Sequence, residues 1–291
     1  MSRASYVLVT PARNEEATVE TTIQSVLEQT LLPREWIIVS DGSTDRTDSI
    51  VERYAREHPF ISLLRLNSGG ARSFASVVFA TEAGYKALKT RDYDYIGLLD
   101  ADVRFKADYF ESLIKRFEAN PRLGLAGGLV LDVVKGRQVP SPPQNLKEIA
   151  GATQFFRRSC FESLGGLMPI PEGGWDAITC VQARQNGYET ETFPDLVMDH
   201  LKFRSGNEGN AFRRRWKMGV RDYALGNDPL FQCFKCAFRA CEPPFLIGSV
   251  TRLCGYAWSM LTRRARYLSP DLVAVIRAEQ RSRLRLWGKS G

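Results

Sequence analysis

The sequence has no uninterrupted apolar run of about 18 residues, the length that a membrane-spanning helix needs. The nearest candidate, residues 244–261, contains Arg252 and is expected to lie at an interface or to pack on the protein. The first residues, MSRASYVLVT, lack a signal-peptide pattern, so we expect a cytoplasmic chain whose six cysteines are reduced. Only two histidines occur, neither of them near Cys233 and Cys236, which disfavours a zinc site there.

Charge is unevenly distributed along the 291 residues. The net charge is +7, but residues 201–291 hold 18 Lys and Arg against 6 Asp and Glu, whereas residues 1–200 hold 22 against 27. A basic C-terminal part predicts an anionic partner, which can be a membrane surface, a nucleic acid or an anionic substrate. Solvated surface charge is the alternative. No recognised nucleic-acid-binding motif accompanies the basic residues, so nucleic acid is not expected as a partner.

Strand-like and helix-like segments alternate through the first half of the chain. Residues 6–10, 36–40, 60–66 and 95–102 are predicted strands, each followed by helical periodicity, and residues 123–134 form a fifth strand or a pair. This alternation predicts an α/β fold with a mostly parallel sheet. Polar stretches at residues 11–15, 41–45 and 100–102 follow three of the strands. Because ligands bind beyond the carboxyl ends of such strands, these stretches should share one rim.

The acidic residues on that rim indicate a cation site. Asp100 and Asp102 are two residues apart, so on an extended chain both side chains lie on the same side and can bind one divalent cation. Asp100 can instead hold a ribose hydroxyl. Asp41 can bind a base or a ribose, or it can act as a turn and helix cap, and the two interpretations are compatible.

Three motifs in this order, TPARNEEATVETTIQSVLEQT, WIIVSDGSTDRT and LLDADV, resemble the family-2 glycosyltransferases. Segments 151–167 and 173–196 resemble the acceptor side of that family, so the likeness covers about residues 4–225. It implies the GT-A fold, a Rossmann-like mostly parallel sheet flanked by helices. We expect a nucleotide-sugar half at about 1–120, an acceptor half at 121–225, and a basic, aromatic helical extension at 226–291.

The resemblance also implies site residues and a cofactor. Asp102, together with Asp100, would bind Mg²⁺ or Mn²⁺. His200, Arg215 and Trp216 fall where relatives contact the diphosphate or the acceptor, although the two basic positions are equally compatible with surface charge. The residues expected to bind the nucleotide sugar are Pro11, Ala12, Arg13, Asn14, Glu15, Asp41, Arg72, Asp100, Ala101 and Asp102.

The general base is expected in the later segment. Relatives carry Glu-Asp there, and this chain has Trp175-Asp176, so Asp176 is the predicted base. A helix N-cap is the alternative role for Asp176, and Glu172 is a less favoured base. One base and a single displacement predict inversion at the anomeric carbon.

These features predict a metal-dependent hexosyltransferase that moves a sugar from a nucleoside diphosphate to a hydroxyl. The acceptor is expected to be a glycan, polyprenyl-linked, in cell-surface polysaccharide synthesis. Basic, aromatic helices at 229–287 favour peripheral attachment to the inner face of the membrane, with capping of the catalytic domain or subunit pairing as alternatives. A nucleotidyltransferase is disfavoured because TPARNEEA contains no glycine. A non-catalytic nucleotide-sugar-binding scaffold remains the second hypothesis.

Overall fold

A computed structural model of the protein describes residues 4–67, 74–134, 136–139, 145–202 and 211–287. The chain packs as two compact units. The first unit comprises Met1–Pro169 with Trp175–Phe203, and the second comprises Ile170–Gly174 with Arg204–Gly291. The functional division near residue 225, expected from the sequence, stays a prediction.

The described residues of the first unit form a nine-stranded sheet flanked by helices. The strands are β1 Tyr6–Ala12, β2 Glu35–Asp41, β3 Ile61–Leu66, β4 Tyr95–Leu99, β5 Val103–Phe105, β6 Leu123–Val134, β7 Arg137–Val139, β8 Thr153–Arg157 and β9 Glu189–His200. The helices are α1 Val19–Leu27, α2 Thr47–Glu57, α3 Phe74–Ala87, α4 Tyr109–Ala119, α5 Arg158–Ser163 and α6 Trp175–Gln185.

The strand order is β3-β2-β1-β4-β8-β6-β9-β5, with β7 paired to β6. Strands β3, β2, β1 and β4 are mutually parallel, and β9 is parallel to β6. Strand β8 inserts antiparallel between β4 and β6, and β5 runs antiparallel to β9. The predicted mixed α/β fold with a mostly parallel sheet flanked by helices is confirmed.

The first unit has an aromatic core around Phe155 of β8. Phe155 is 1% exposed, and its ring lies 5.5–5.8 Å from the rings of Tyr6, Tyr95, Phe110 and Phe117. Strand β8 therefore joins the helix α4 layer to the centre of the sheet. Strands β1 and β2 are almost entirely buried because helices cover both faces, which explains their continuous apolar runs.

The second unit is helical. Its helices are α7 Ala211–Ala224, α8 Pro229–Phe238, α9 Ile247–Leu261 and α10 Pro270–Trp287. Buried Asp222 of α7 accepts hydrogen bonds from Arg252 of α9 and from Gln232 and Lys235 of α8. Burial alone would raise the pKa of Asp222, but the charges of Lys235 and Arg252 outweigh it and hold this pKa well below its usual range. Among the described residues, none of the helices combines the length and hydropathy needed to cross a bilayer.

Truncation of Phe155 should destabilise the first unit strongly. Phe155→Ala should lower the free energy of unfolding by about 3–5 kcal/mol, because it leaves a cavity among four aromatic rings. The matched control Phe79→Ala, whose side chain is 57% exposed, should change it by less than about 0.5 kcal/mol. Urea unfolding followed by near-ultraviolet circular dichroism measures both. Equal effects of the two substitutions would contradict the assignment of Phe155 to the core.

Candidate functional site

The loops that follow β1 and β2 are bonded to each other. The Asn14 side-chain oxygen accepts a hydrogen bond from the Thr44 backbone N–H at 2.8 Å, and the Thr47 hydroxyl accepts one from the Glu15 N–H at 2.8 Å. Asn14 has a φ of 55°, a left-handed conformation that asparagine tolerates. The predicted convergence of residues 11–15 and 41–45 at one rim is therefore observed.

Asn14 does not cap the helix that follows it, although asparagine is a common helix N-cap. Helix α1 begins at Val19, with Thr18 at its N-cap position. The Asn14 side chain instead crosses to the β2 loop, an interaction that local periodicity cannot show. In the same loop, Asp45 accepts hydrogen bonds from Thr47 and from the Glu16 N–H. Burial would raise the pKa of Asp45, but these hydrogen bonds outweigh it and lower the pKa.

The two acidic residues of the LLDADV motif lie between β4 and β5. The Asp100 N–H donates to the Ala152 carbonyl at 3.3 Å, and the Asp102 carbonyl accepts from the Leu201 N–H at 2.7 Å. Asp100 is half-buried, and Asp102 is buried. The backbone thus fixes both carboxylates beside the end of β9.

His200 completes a cluster with these carboxylates. One potential ligand atom from each of Asp100, Asp102 and His200 can be chosen so that all three lie within 4.8 Å of one another. The His200 Nε2 atom is 3.4 Å from an Asp102 carboxylate oxygen. Two carboxylates and an imidazole suit a divalent cation such as Mn²⁺ or Mg²⁺. The donor set therefore fits the predicted metal.

Asp132 fixes the orientation of His200. The Asp132 carboxylate lies 3.0 Å from His200 Nδ1, and the two residues are direct partners in the β6–β9 ladder. A carboxylate accepts hydrogen bonds, so this contact favours the proton on Nδ1 and leaves the Nε2 lone pair directed at Asp102. No pattern in the sequence pointed to Asp132, which lies within the mostly apolar strand β6.

Lys202 links the end of β9 to the loop after β1. Its ammonium group donates to the buried Glu15 carboxylate at 2.8 Å. The Thr18 hydroxyl donates to the other oxygen of that carboxylate at 3.0 Å. This ion pair places the predicted nucleotide loop next to His200. Sequence reasoning missed Lys202, although its position two residues after His200 was a usable signal.

Asp176 lies in the first turn of α6, near the end of β4 from which the acidic motif continues. Its carboxylate accepts from the Gly151 N–H at 3.3 Å, and the next residue, Ala152, bonds to Asp100. Trp175 is buried, and its ring lies 2.9 Å from where a Cβ on Gly151 would stand. Glycine at 151 thus allows the start of α6 to approach the strand that carries the acidic motif.

Other predicted residues have different surroundings. Asp41 ends β2 and is buried, and Ala12 and Ala101 are also buried. Arg215 belongs to the second unit, where its guanidinium donates to Glu242 at 3.3 Å and to the Pro243 carbonyl at 2.8 Å. Arg72 lies outside the described residues. Diphosphate contacts by Arg215 and Trp216 stay predictions.

The fold and the acidic rim define a glycosyltransferase with the GT-A architecture, and comparison with known proteins supports this class. The family model described as "Glycosyl transferase family 2" matches residues 7–165. That match covers more than half of the chain, which therefore belongs to glycosyltransferase family 2.

Named relatives agree with this membership. The poly-beta-1,6-N-acetyl-D-glucosamine synthase of Staphylococcus epidermidis is 33% identical over 222 residues, covering 76% of this chain and 47% of that protein. The uncharacterized glycosyltransferase EpsJ of Bacillus subtilis is 32% identical over 137 residues, covering 47% and 37%. The chain thus spans about half the length, or less, of the curated relatives it matches.

Solved structures share the fold at low identity. The mannosyltransferase PcManGT from Pyrobaculum calidifontis, in complex with GDP-Man and Mn²⁺, matches with a TM-score of 0.58 at 20% identity, covering 98% of this chain and 81% of that one. The TarS fragment 1–349 of S. aureus, in complex with UDP-GlcNAc, matches with a TM-score of 0.55 at 15% identity, covering 74% and 65%.

Replacement of Asn14 tests the bond between the two loops. Asn14→Ala should lower the free energy of unfolding by about 1–3 kcal/mol, because it removes the bond to Thr44 and keeps a side chain at positive φ. Asn14→Gly loses the same bond but relieves the backbone strain, so it should cost less. Thermal and urea unfolding of the two variants measure the difference. A larger loss for glycine than for alanine would contradict this geometry.

Proposed function

We propose that the protein catalyses the inverting, divalent-metal-dependent transfer of a sugar from a nucleoside diphosphate to an acceptor hydroxyl. The observation that carries this proposal is the cluster of Asp100, Asp102 and His200 at the carboxyl end of β4. A cation held there would neutralise negative charge on the diphosphate leaving group. The PcManGT structure, which shares this fold, is a complex with GDP-Man and Mn²⁺, and this supports the use of a divalent cation.

The donor binds along the rim formed by the loops after β1, β2 and β4. Residues 11–15 and Asp41 contact the nucleotide, Asp100 faces the ribose or the cation, and Ala101 belongs to the same donor-binding loop. This assignment is supported by the hydrogen bonds that hold the first two loops together and by the Glu15–Lys202 ion pair. The loop geometry is fixed before the donor arrives, which lowers the entropy lost on binding.

Asp176 acts as the general base. The acceptor hydroxyl attacks the anomeric carbon from the face opposite the leaving diphosphate, and Asp176 takes its proton as the new bond forms. One displacement of this kind inverts the anomeric centre. The link from Asp176 through Gly151 and Ala152 to Asp100 supports a position close to the donor. Glu172 is less suited, because its carboxylate accepts a hydrogen bond from Arg264 at 3.1 Å.

The acceptor is a lipid-linked glycan in cell-surface polysaccharide synthesis, and the protein acts at the inner face of the membrane. The names of the Staphylococcus relatives, which are polysaccharide synthases, support a part in polysaccharide synthesis. The basic composition of residues 201–291 supports an anionic surface as the site of action.

A screen of nucleoside-diphosphate sugars with Mn²⁺ and with Mg²⁺ tests the reaction. Metal-dependent nucleotide release is expected with at least one donor, and Asp102→Asn should reduce it by about 100-fold or more because a cation ligand is lost. Asp176→Asn should lower kcat by about 10²–10⁴-fold with donor affinity retained. The control is Asp92→Asn, at an exposed carboxylate paired with Arg34 before β4. Sugar transfer that survives Asp176→Asn would refute the base assignment.

Removal of the Asp132 charge should weaken the cation site without touching a ligand. Asp132→Asn should lower Mn²⁺ affinity by about 10–100-fold, because the asparagine amide no longer enforces the proton on His200 Nδ1. Electron paramagnetic resonance of free Mn²⁺ measures this directly. The control is Asp195→Asn, on the same strand as His200 but paired with exposed Arg116. An unchanged affinity in Asp132→Asn would contradict the role of Asp132.

A further inference from the structure

Helix α9 has its polar side inward and its apolar side outward. The buried residues of this helix are Gly248, Ser249, Arg252, Gly255, Tyr256 and Ser259, and the Tyr256 hydroxyl donates to the Asn227 carbonyl. Its exposed large side chains are all apolar. A surface helix of a soluble domain normally has the opposite arrangement, with the apolar stripe facing the core. The environment that covers the outer side of α9 should therefore be apolar.

Specific contacts fix this inverted orientation. Arg252 is 3% exposed, and its guanidinium donates twice to buried Asp222 of α7, at 2.6 and 3.0 Å. The two helices also approach closely at their glycines. A Cβ on Gly219 would lie 1.9 Å from the Arg252 carbonyl oxygen, and one on Gly255 would lie 2.5 Å from the Trp216 carbonyl oxygen. Rotation of α9 would bury its apolar side only by breaking this ion pair and this packing.

The exposed side of α9 is continuous along the helix. We call it the α9 apolar face, and it consists of Ile247, Val250, Cys254, Trp258 and Leu261. These positions recur at helical spacing, and Trp258 and Leu261 are 58% and 76% exposed. The only charged residue of α9 is buried Arg252. The face also continues into the preceding turn, where Phe245 and Leu246 are exposed.

Basic side chains accompany the α9 apolar face. Arg263 and Arg264 follow the C-terminal end of α9 directly and are exposed. An uncharged apolar strip with arginines at one end matches a bilayer surface, where acyl chains accept the strip and anionic headgroups attract the cations.

We propose that the α9 apolar face docks into the surface of a bilayer containing anionic lipids, with α9 lying in the plane of the membrane. This inference rests on the proposed membrane location and names the surface responsible. At 15 residues, α9 is too short to span a bilayer but suits interfacial binding. A second copy of the chain is a less suitable partner for this face. Residues 201–291 carry 18 basic and 6 acidic side chains, so two copies of this region would repel each other.

Vesicle flotation of the full chain tests this proposal. The protein should float with vesicles of phosphatidylcholine mixed with an equal amount of phosphatidylglycerol, and less with phosphatidylcholine alone. Val250→Glu and Trp258→Glu should each lower the partition coefficient by about tenfold, because a carboxylate replaces buried apolar surface and repels anionic lipid. The matched control Leu32→Glu changes an exposed leucine before β2 and should bind as the parent does. Circular dichroism and thermal unfolding should be the same for all four proteins.

Two outcomes would overturn the docking proposal. One is the absence of flotation with either vesicle, including the case in which Trp258→Glu instead dissociates a dimer. The other is flotation that Val250→Glu and Trp258→Glu leave unchanged. Nucleotide release, measured without vesicles on the same proteins, separates this proposal from the proposed function. Release without flotation refutes only the docking surface, whereas flotation without release from any donor refutes only the transferase assignment.

Discussion

The candidate site depends on the position of β9 between β5 and β6. Its last residue, His200, pairs with Val103 on one side and with Asp132 on the other. This arrangement brings carboxylates from two distant chain segments to opposite nitrogens of one imidazole, at 3.0 and 3.4 Å. A cation site needs such fixed geometry, because ligands that must be ordered on binding lose affinity.

The rest of the first unit holds the strands and loops around His200 in place. The aromatic core around Phe155 anchors β8 beside β4. As a result, the Asp100 N–H of the acidic motif donates a hydrogen bond to the Ala152 carbonyl. The Glu15–Lys202 ion pair then ties the loop after β1 to the residues that follow β9. Core packing, sheet register and one half-buried ion pair thus determine where the nucleotide loops stand relative to the acidic cluster.

The local pattern of apolar and polar residues was sufficient to predict the alternating strands and helices of the first half. Buried parallel strands are continuously apolar, and surface helices are amphipathic. It also placed Asp100 and Asp102 at a strand end. It could not reveal Asp132, whose role arises from register with a strand almost 70 residues later. It could not reveal the partner of the Asn14 side chain, which lies on another loop, and it could not show which side of α9 is buried.

The most direct test of the central claim is an anomalous diffraction map of the protein crystallised with Mn²⁺ and a nucleoside-diphosphate donor. We expect one strong peak within bonding distance of an Asp102 oxygen and His200 Nε2, in contact with the donor diphosphate. A donor bound at this rim with no manganese peak between Asp102 and His200, or a peak held by other residues, would contradict it.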